Sequence, residues 1–223
     1  MSIHVSDTNL NTIFQNIQKH SPHPSKVKII AVTKGFNYQA IISAISKNIL
    51  CIGENKVQEF FNKQTKLQTH KFESHLIGHL QSNKTKKATD LFNVIQTVDS
   101  IKLADKINNQ NLSTAQRIYV QINIGNDPNK FGFQPTDIYQ KIEKIELMEN
   151  IKIEGIMTII PQLQNTQDIE NLFAKTRKIF EKTQKKISPT CQYLSMGMSG
   201  DYIYALKQGA THIRIGTLLY GTR

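Results

Sequence analysis

The chain has few cysteines and no long apolar run among its 223 residues. No segment approaches the roughly 20 apolar residues of a membrane-spanning helix. The first seven residues also lack the basic-then-apolar pattern of a secretory signal. The two cysteines, Cys51 and Cys191, each stand beside an apolar, strand-like segment, which is typical of buried, reduced thiols. We therefore expect a cytoplasmic protein without a membrane partner.

Motifs of several enzyme classes are also absent. The sequence has no Gly-x-Ser-x-Gly nucleophile elbow, no P-loop and no dinucleotide fingerprint.

In His75-Leu-Ile-Gly-His79, strand alternation would place His75, Ile77 and His79 on one face. A metal site needs further ligands at a suitable spacing, and none is evident. We expect no metal site, and we expect His79 to contact an organic ligand or a backbone carbonyl.

Acidic residues are scarce relative to basic ones, and the formal net charge is +11. Such a charge attracts nucleic-acid backbones, and the run Asn83-Lys-Thr-Lys-Lys87 is locally dense. However, only four of the 28 basic residues are arginine, the residue that makes most specific base contacts. The lysines are scattered, without the interleaved aromatic residues of single-strand binders. We therefore expect no nucleic-acid partner.

Eight apolar, β-branched segments alternate with amphipathic ones at a repeat of about 25 residues, a pattern typical of parallel strands with crossover helices. The predicted strands cover residues 27–33, 50–53, 75–79, 94–98, 117–124, 151–158, 192–194 and 211–215. The predicted helices cover 38–47, 56–66, 101–107, 136–148 and 169–185, and an additional helix, Asp7–His20, precedes the first strand. Eight such units predict a (β/α)8 TIM barrel; an open, doubly wound sheet is the alternative. Because no low-complexity linker interrupts the chain, we expect one domain over residues 1–223.

The last thirty residues contain two candidate anion-binding strand ends. Ser199 is a good N-cap for a short helix that ends at Gly209, and an open helix start offers backbone N–H groups to a phosphate. The next strand ends at Gly216-Thr217, where backbone can approach a ligand closely. A capped helix and an ordinary turn would explain each segment alone. Two in tandem favour a phosphate site, because TIM barrels frequently bind phosphate after their last two strands.

Polar residues at other strand ends suggest chemistry at the carboxyl-terminal mouth. Lys34 shares a strand face with Ile30 and Val32, so its amine can lie at the mouth and react with an aldehyde, unless it is simply solvated. Arg214 can point into the barrel, where it needs a ligand ring nitrogen or a carboxylate as partner. The remaining candidates are Glu54 and Asn55 beside the mouth and Lys130, which can reach an anion or remain in solvent.

Several segments, in order along essentially the whole chain, resemble the pyridoxal phosphate homeostasis proteins, single-domain relatives of the N-terminal barrel of alanine racemase. The segments that carry the resemblance are Ala31-Val-Thr-Lys34, Ile52-Gly-Glu-Asn-Lys-Val-Gln-Glu59, His75-Leu-Ile-Gly-His-Leu-Gln-Ser-Asn-Lys84, Gly155-Ile-Met-Thr-Ile159, Leu194-Ser-Met-Gly-Met-Ser199 and Arg214-Ile-Gly-Thr217. The third and fifth of these are the most specific.

The resemblance implies that Lys34 forms a Schiff base with pyridoxal phosphate (PLP). It further implies a phosphate site formed by Ser199, Gly216 and Thr217, with Met198 nearby. By the same resemblance, Arg214 lies against the pyridine nitrogen, and Asn55 and His79 line the ring pocket.

Three positions depart from the family pattern. The family usually has a proline shortly after the lysine, where this chain reads Gly35-Phe-Asn-Tyr38. An aromatic residue usually follows the glutamate–asparagine pair, where Lys56 stands, and a tryptophan commonly precedes the first histidine, where Ser74 stands. These changes alter pocket walls and cofactor affinity, but they remove no group assigned to the aldehyde or the phosphate.

The resemblance also bears on catalysis. A cation at the pyridine nitrogen disfavours its protonation and weakens the ring as an electron sink. Alanine racemase takes its opposing acid/base tyrosine from a second domain of a partner subunit, whereas this chain ends at Tyr220-Gly-Thr-Arg223, just after the eighth strand. We therefore expect a monomeric PLP carrier, with apo PLP enzymes as possible recipients. The alternatives are an amino-acid racemase and a cofactor-free Schiff-base aldolase.

Overall fold

A computed structural model describes residues 3–221, so that the terminal Met1, Ser2, Thr222 and Arg223 lie outside the described residues. Eight parallel strands form a closed barrel in which each strand pairs with its neighbours in the sequence and β8 pairs with β1. The strands are β1 Lys28–Val32, β2 Cys51–Glu54, β3 Glu73–Leu76, β4 Val94–Val98, β5 Gln116–Ile122, β6 Ile151–Thr158, β7 Tyr193–Met198 and β8 His212–Ile215. The (β/α)8 barrel prediction is confirmed, and the open-sheet alternative is wrong.

Helices cover the outside of the barrel. They are α1 Asp7–His20, α2 Tyr38–Ser46, α3 Val57–Gln64, α4 Thr85–Leu91, α5 Ile101–Asn108, α6 Ile138–Glu146, α7 Thr166–Lys186, α8 Tyr202–Lys207 and α9 Thr217–Tyr220, with 3-10 turns at Pro24–Lys26 and Ser82–Lys84. The short helices α4 and α9 were not predicted. Among the described residues, no helix combines the length and apolar character needed to cross a membrane.

Strand alternation separates two buried layers. On β1, Ile29 and Ala31 belong to the apolar layer between the sheet and the helices. Ile30 instead points into the barrel, where a Cβ added to Gly53 would lie 2.8 Å from its Cγ2. Parallel sheets are normally buried on both faces in this way. The same alternation carries Val32, and after the strand ends Lys34, to the carboxyl-terminal end of the barrel.

The N-terminal helix α1 has the predicted bounds. Ser6 caps it, with its hydroxyl accepting from the Asn9 N–H, and Asp7 lies in the first turn near the positive end of the helix dipole. Its buried face carries Leu10, Ile13 and Ile17, which follow helical spacing. This helix packs against α8 and α9, the segments that follow the two candidate anion-binding strand ends.

The predicted limits of two strands are wrong. β3 spans Glu73–Leu76 rather than residues 75–79, because the chain turns over the end of β2, where a Cβ at Gly78 would overlap the Asn55 carbonyl oxygen. His79 therefore lies in a loop rather than on a strand face. β7 continues to Met198 instead of ending at Leu194, with Gly197 inside it at φ 88°. A glycine tolerates this positive φ, and the register against β8 is irregular at this point.

The assignment of Ser199 as a helix N-cap is also wrong. Helix α8 begins at Tyr202, and its N-cap residue is Asp201. The Asp201 carboxylate accepts from the Met198 N–H at 2.5 Å, which closes the turn between β7 and α8. The Ser199 hydroxyl instead faces the start of α9, where it accepts from the Leu218 N–H at 3.5 Å. Gly209 follows the helix at φ 80°, as expected for a residue just past a C-terminus.

Candidate functional site at the carboxyl ends of the strands

A cavity of about 260 Å³ opens at the carboxyl ends of the strands. Its walls come from β1, β2, β3, β6, β7 and β8 and the turns that follow them. Seven of the eight sequence-predicted site residues line it: Lys34, Asn55, Met198, Ser199, Arg214, Gly216 and Thr217. The remaining lining residues are Val32, Ile77, Ile159 and Gly200. Strand-end position was therefore enough to bring together all the predicted residues except His79.

The turn that carries Lys34 is held by buried charges beneath it. The Lys63 ammonium donates to the Thr33 carbonyl at 3.0 Å, on one side of Lys34. The Glu59 carboxylate accepts from the Gly35 N–H at 2.5 Å, on the other side. Both residues flanking Lys34 are thus held through their backbones. The backbone on both sides of Lys34 is therefore fixed before a ligand binds, with Lys34 in the cavity lining. Ligand binding then costs little further loss of backbone conformational entropy.

Three charged groups form this support, which we call the Glu54–Lys63–Glu59 cluster. Lys63 contacts Glu54 at 2.6 Å and Glu59 at 2.8 Å, and the Thr33 hydroxyl donates to Glu54 at 2.6 Å. Burial raises the pKa of Glu54, and Lys63 opposes that rise. Glu54 stands at the end of β2, beside the mouth, but it is not among the residues that line the cavity. Its neighbour Gly53 faces the barrel interior, so alternation sends Glu54 outward, toward α3.

Replacing Lys63 with methionine tests the energetic role of this cluster. Glu54 would stay buried without its cation, so we expect the free energy of unfolding to fall by about 3–5 kcal/mol. Urea unfolding measures the change. Lys66→Met, on an exposed lysine of the same region, should stay within about 0.5 kcal/mol. The double variant Glu54→Gln/Lys63→Met should recover part of the loss; equal losses in Lys63→Met and Lys66→Met would contradict the role.

Arg214 points into the barrel, as predicted, and is 3% exposed. Within the protein, its hydrogen-bond partners are neutral groups rather than a carboxylate. The guanidinium donates to the Ser195 hydroxyl at 2.9 Å and to the Thr158 carbonyl at 2.8 Å. Burial lowers the pKa of Arg214 to about 10, and the nearby Asp201 opposes that fall. Arg214 therefore remains a cation at neutral pH, with part of its surface on the cavity.

A hydrogen-bonded chain runs from Arg214 through the barrel. Because Arg214 can only donate, the Ser195 hydroxyl donates onward to the Gln96 carbonyl oxygen at 2.7 Å. The Gln96 amide nitrogen lies 2.8 Å from His75 Nδ1, so Nδ1 accepts and Nε2 carries the proton toward Glu73 at 2.8 Å. Burial lowers the pKa of His75, in keeping with a neutral ring. Ser195 lies within the motif Leu194–Ser199 and Gln96 within a predicted strand, but nothing in the sequence indicates that the two side chains meet.

Two strand ends supply unoccupied backbone donors. Among the residues that the structure describes, the N–H groups of Ser199, Gly200 and Thr217 donate no backbone hydrogen bond. A Cβ added to Gly200 would meet no atom within 4 Å, so no side chain or backbone crowds this residue of the cavity lining. Open N–H groups at successive strand ends form an anion-binding concavity. Ser199 and Thr217 add hydroxyls at the same place.

His79 is the predicted residue that does not line the cavity. Its Nδ1 lies 3.0 Å from an Asp99 carboxylate oxygen. Its ring stacks on Phe131, with centroids 3.6 Å apart and planes inclined by 12°. The shifted end of β3 accounts for this position. Lys130, next to Phe131, donates to the Ile160 carbonyl, and burial lowers its pKa.

Comparison with known proteins gives consistent matches. The alanine racemase N-terminal domain family matches residues 8–223. A Haemophilus influenzae protein named pyridoxal phosphate homeostasis protein is 36% identical over 225 residues, covering 96% of this chain and 94% of the relative. An Aquifex aeolicus protein of the same name is 32% identical over 220 residues, with 96% of both chains covered.

A solved relative matches equally well. PipY of Synechococcus elongatus PCC7942, determined without PLP, superposes with a TM-score of 0.86 at 33% identity, covering 96% of this chain and 99% of the other. The structure of PipY with PLP bound gives a TM-score of 0.84 at 32% identity, with the same coverage.

Proposed function

Because the chain belongs to the pyridoxal phosphate homeostasis proteins, within the alanine racemase N-terminal domain family, we propose that it binds PLP as a Schiff base on Lys34 and releases it without efficient catalysis. The observation that carries the proposal is the meeting of three features in one cavity. These are the amine of Lys34, the buried guanidinium of Arg214, and the open N–H groups at the ends of β7 and β8. PLP offers a matching aldehyde, ring nitrogen and phosphate.

The residues present fit this cofactor. Ser199 and Thr217 would bind the phosphate with their hydroxyls and backbone N–H groups, and Gly216 lets the backbone approach. Asn55 and Met198 would lie beside the ring, and the Glu54–Lys63–Glu59 cluster would hold the lysine turn. When bound, PLP supplies an aldehyde that condenses with amines and a ring that accepts electrons.

Arg214 favours a carrier over a catalyst. Its guanidinium keeps its charge at neutral pH and can only donate hydrogen bonds, so a pyridine nitrogen beside it must accept and stays unprotonated. An unprotonated ring withdraws electrons weakly. The protein would hold PLP reversibly, as a monomer, and supply it to apo PLP enzymes. The two buried free thiols fit a reducing compartment, so we assign the protein to the cytoplasm.

An absorption spectrum with added PLP tests the proposed function. A Schiff base of PLP absorbs visible light, and borohydride reduction should fix the adduct on Lys34, where mass spectrometry locates it. An aldolase without cofactor would in addition be trapped by borohydride with a sugar phosphate that carries a carbonyl group, whereas the carrier would not. Absence of an adduct with PLP would therefore contradict the carrier proposal.

Thr217→Val tests the phosphate assignment. Valine keeps the volume but loses one charge-assisted hydrogen bond, so PLP binding should weaken by about 1–2 kcal/mol, or roughly 5- to 30-fold in Kd. A PLP titration followed by absorbance measures the change. Pyridoxal, which lacks the phosphate, should bind wild type and variant equally. If pyridoxal bound the wild type as tightly as PLP, the anion site would be wrongly assigned.

A further inference from the structure

A second group of reactive side chains lies at the opposite, amino-terminal end of the barrel. Glu73 Oε1 is 2.8 Å from His75 Nε2 and 3.8 Å from the sulfur of Cys51. The thiol sulfur, the imidazole nitrogen and a carboxylate oxygen all lie within 4.8 Å of one another. These residues belong to β2 and β3, and their spacing in the sequence gave no sign of the grouping. Closure of the sheet brings them together.

Two of the three donors, His75 and Glu73, are supported from behind, as ligands in metal sites usually are. The second nitrogen of His75 contacts the Gln96 amide at 2.8 Å. The second oxygen of Glu73 accepts from Arg117 at 2.8 Å, and Arg117 also contacts Glu154 at 2.6 Å, so its charge is compensated. The hydrogen bond from His75 contributes most to holding the pKa of Glu73 well below its usual range.

Two buried polar atoms near this cluster have no hydrogen-bond partner among the described residues, and a groove reaches the cluster from the surface. His212 Nε2 and the Tyr119 hydroxyl are buried and have no partner among the described residues. Their rings lie 5.9 Å and 6.4 Å from the His75 ring. Buried polar atoms are normally satisfied by protein, water or an ion. A groove of about 500 Å³, lined by both Cys51 and Glu73, connects the cluster with the surface.

From this arrangement we propose that Cys51, Glu73 and His75 form a binding site for a divalent metal ion of the zinc type. Sulfur, nitrogen and carboxylate oxygen are the ligands that zinc takes, whereas magnesium and calcium require oxygen alone. Zinc–ligand distances of about 2.0–2.3 Å place tetrahedral ligands roughly 3–4 Å apart. The Glu73–His75 pair must therefore open slightly, and the groove supplies water as a fourth ligand.

Binding rearranges two protons. The Cys51 thiol releases its proton to solvent and binds as thiolate. The proton on His75 Nε2 moves to Nδ1, and the Gln96 amide turns over to accept it with its carbonyl oxygen. The ion therefore takes the place now occupied by the hydrogen bonds from His75 and Cys51 to Glu73. The turned Gln96 presents its NH₂ group to the Ser195 hydroxyl, which then accepts from both Gln96 and Arg214. This site shares no lining residue with the Lys34 cavity and does not depend on the proposed PLP function.

Titration of the full chain with Co²⁺ and with Zn²⁺ tests the site. A Co²⁺–thiolate bond gives an intense charge-transfer band, which binding to surface histidines cannot produce. We expect one equivalent of Co²⁺ to give this band and one equivalent of Zn²⁺ to remove it. Glu73→Gln should weaken Zn²⁺ binding by at least the roughly 10- to 100-fold that loss of an outer-shell partner costs, as measured by calorimetry.

The two buried cysteines provide a matched control. Cys51→Ala should lose the charge-transfer band, and Cys191→Ala should keep it, because Cys191 is not part of the cluster. Circular dichroism checks that both variants are folded, and Cys51→Ser serves as the test variant if alanine unfolds the chain. A band that persists without the Cys51 sulfur, or wild-type protein that gives no band, would overturn the proposal.

Discussion

Lys34→Ala is expected to abolish the visible absorption that PLP gives with this protein, while the barrel stays folded. The variant removes the only amine among the described residues that line the cavity. The turn itself is held through the backbones of Thr33 and Gly35 by Lys63 and Glu59, contacts that the alanine leaves in place. PLP titration measures the first effect, and the far-ultraviolet circular dichroism spectrum and thermal midpoint measure the second.

Lys130→Ala is the matched control for this experiment. Lys130 follows β5 near the same end of the barrel, and burial lowers its pKa, so it is the lysine that could compete for the aldehyde. The control variant should keep the absorption band and the borohydride adduct on Lys34. An adduct found mainly on Lys130 in the wild type would refute the assignment of Lys34.

Features that depend on local periodicity could be predicted from the sequence. Alternation in the first strand placed Ile30 inside the barrel and Lys34 at its mouth, and helical spacing marked Asp7–His20. Position at strand ends then brought Asn55 and Thr217 to the same cavity, because parallel strands end at one edge. These inferences need only the repeat of each element and the order of the strands.

Features that depend on contacts between distant segments could not be predicted. The end of β3 follows from Gly78 lying against Asn55, so the place of His79 could not be read from alternation alone. Within the protein, Arg214 donates to Ser195 rather than to a carboxylate, and Ser195 in turn bonds to Gln96, 99 residues away in the sequence. Local sequence patterns do not reveal such pairs, because the sequence does not show whether a polar strand residue faces the barrel interior or the outside.

The second large effect that we expect is a very low rate of amino-acid racemisation by the PLP-loaded protein. Removing the α-proton of an amino acid and returning it on the opposite face requires two acid/base groups. Among the described residues that line the cavity, Lys34 and Arg214 are the ionisable ones. Arg214 stays protonated, and it is directed at Ser195 and Thr158 rather than across the cavity from Lys34. The second acid/base group is therefore missing from this lining.

We accordingly expect the PLP-loaded protein to bind small amino acids but to racemise them poorly. An acid/base group typically contributes about 10²–10⁴-fold, and the weak electron demand of a ring beside Arg214 lowers the rate further. Exchange of the L-alanine α-proton in deuterated water, followed together with loss of chirality, measures the reaction, with free PLP as the reference. Racemisation at about 1–10³ s⁻¹, the range of ordinary enzymes, would favour the racemase over the carrier. Exchange near the free-PLP rate, together with transfer of PLP to an apo-enzyme, is the expected result.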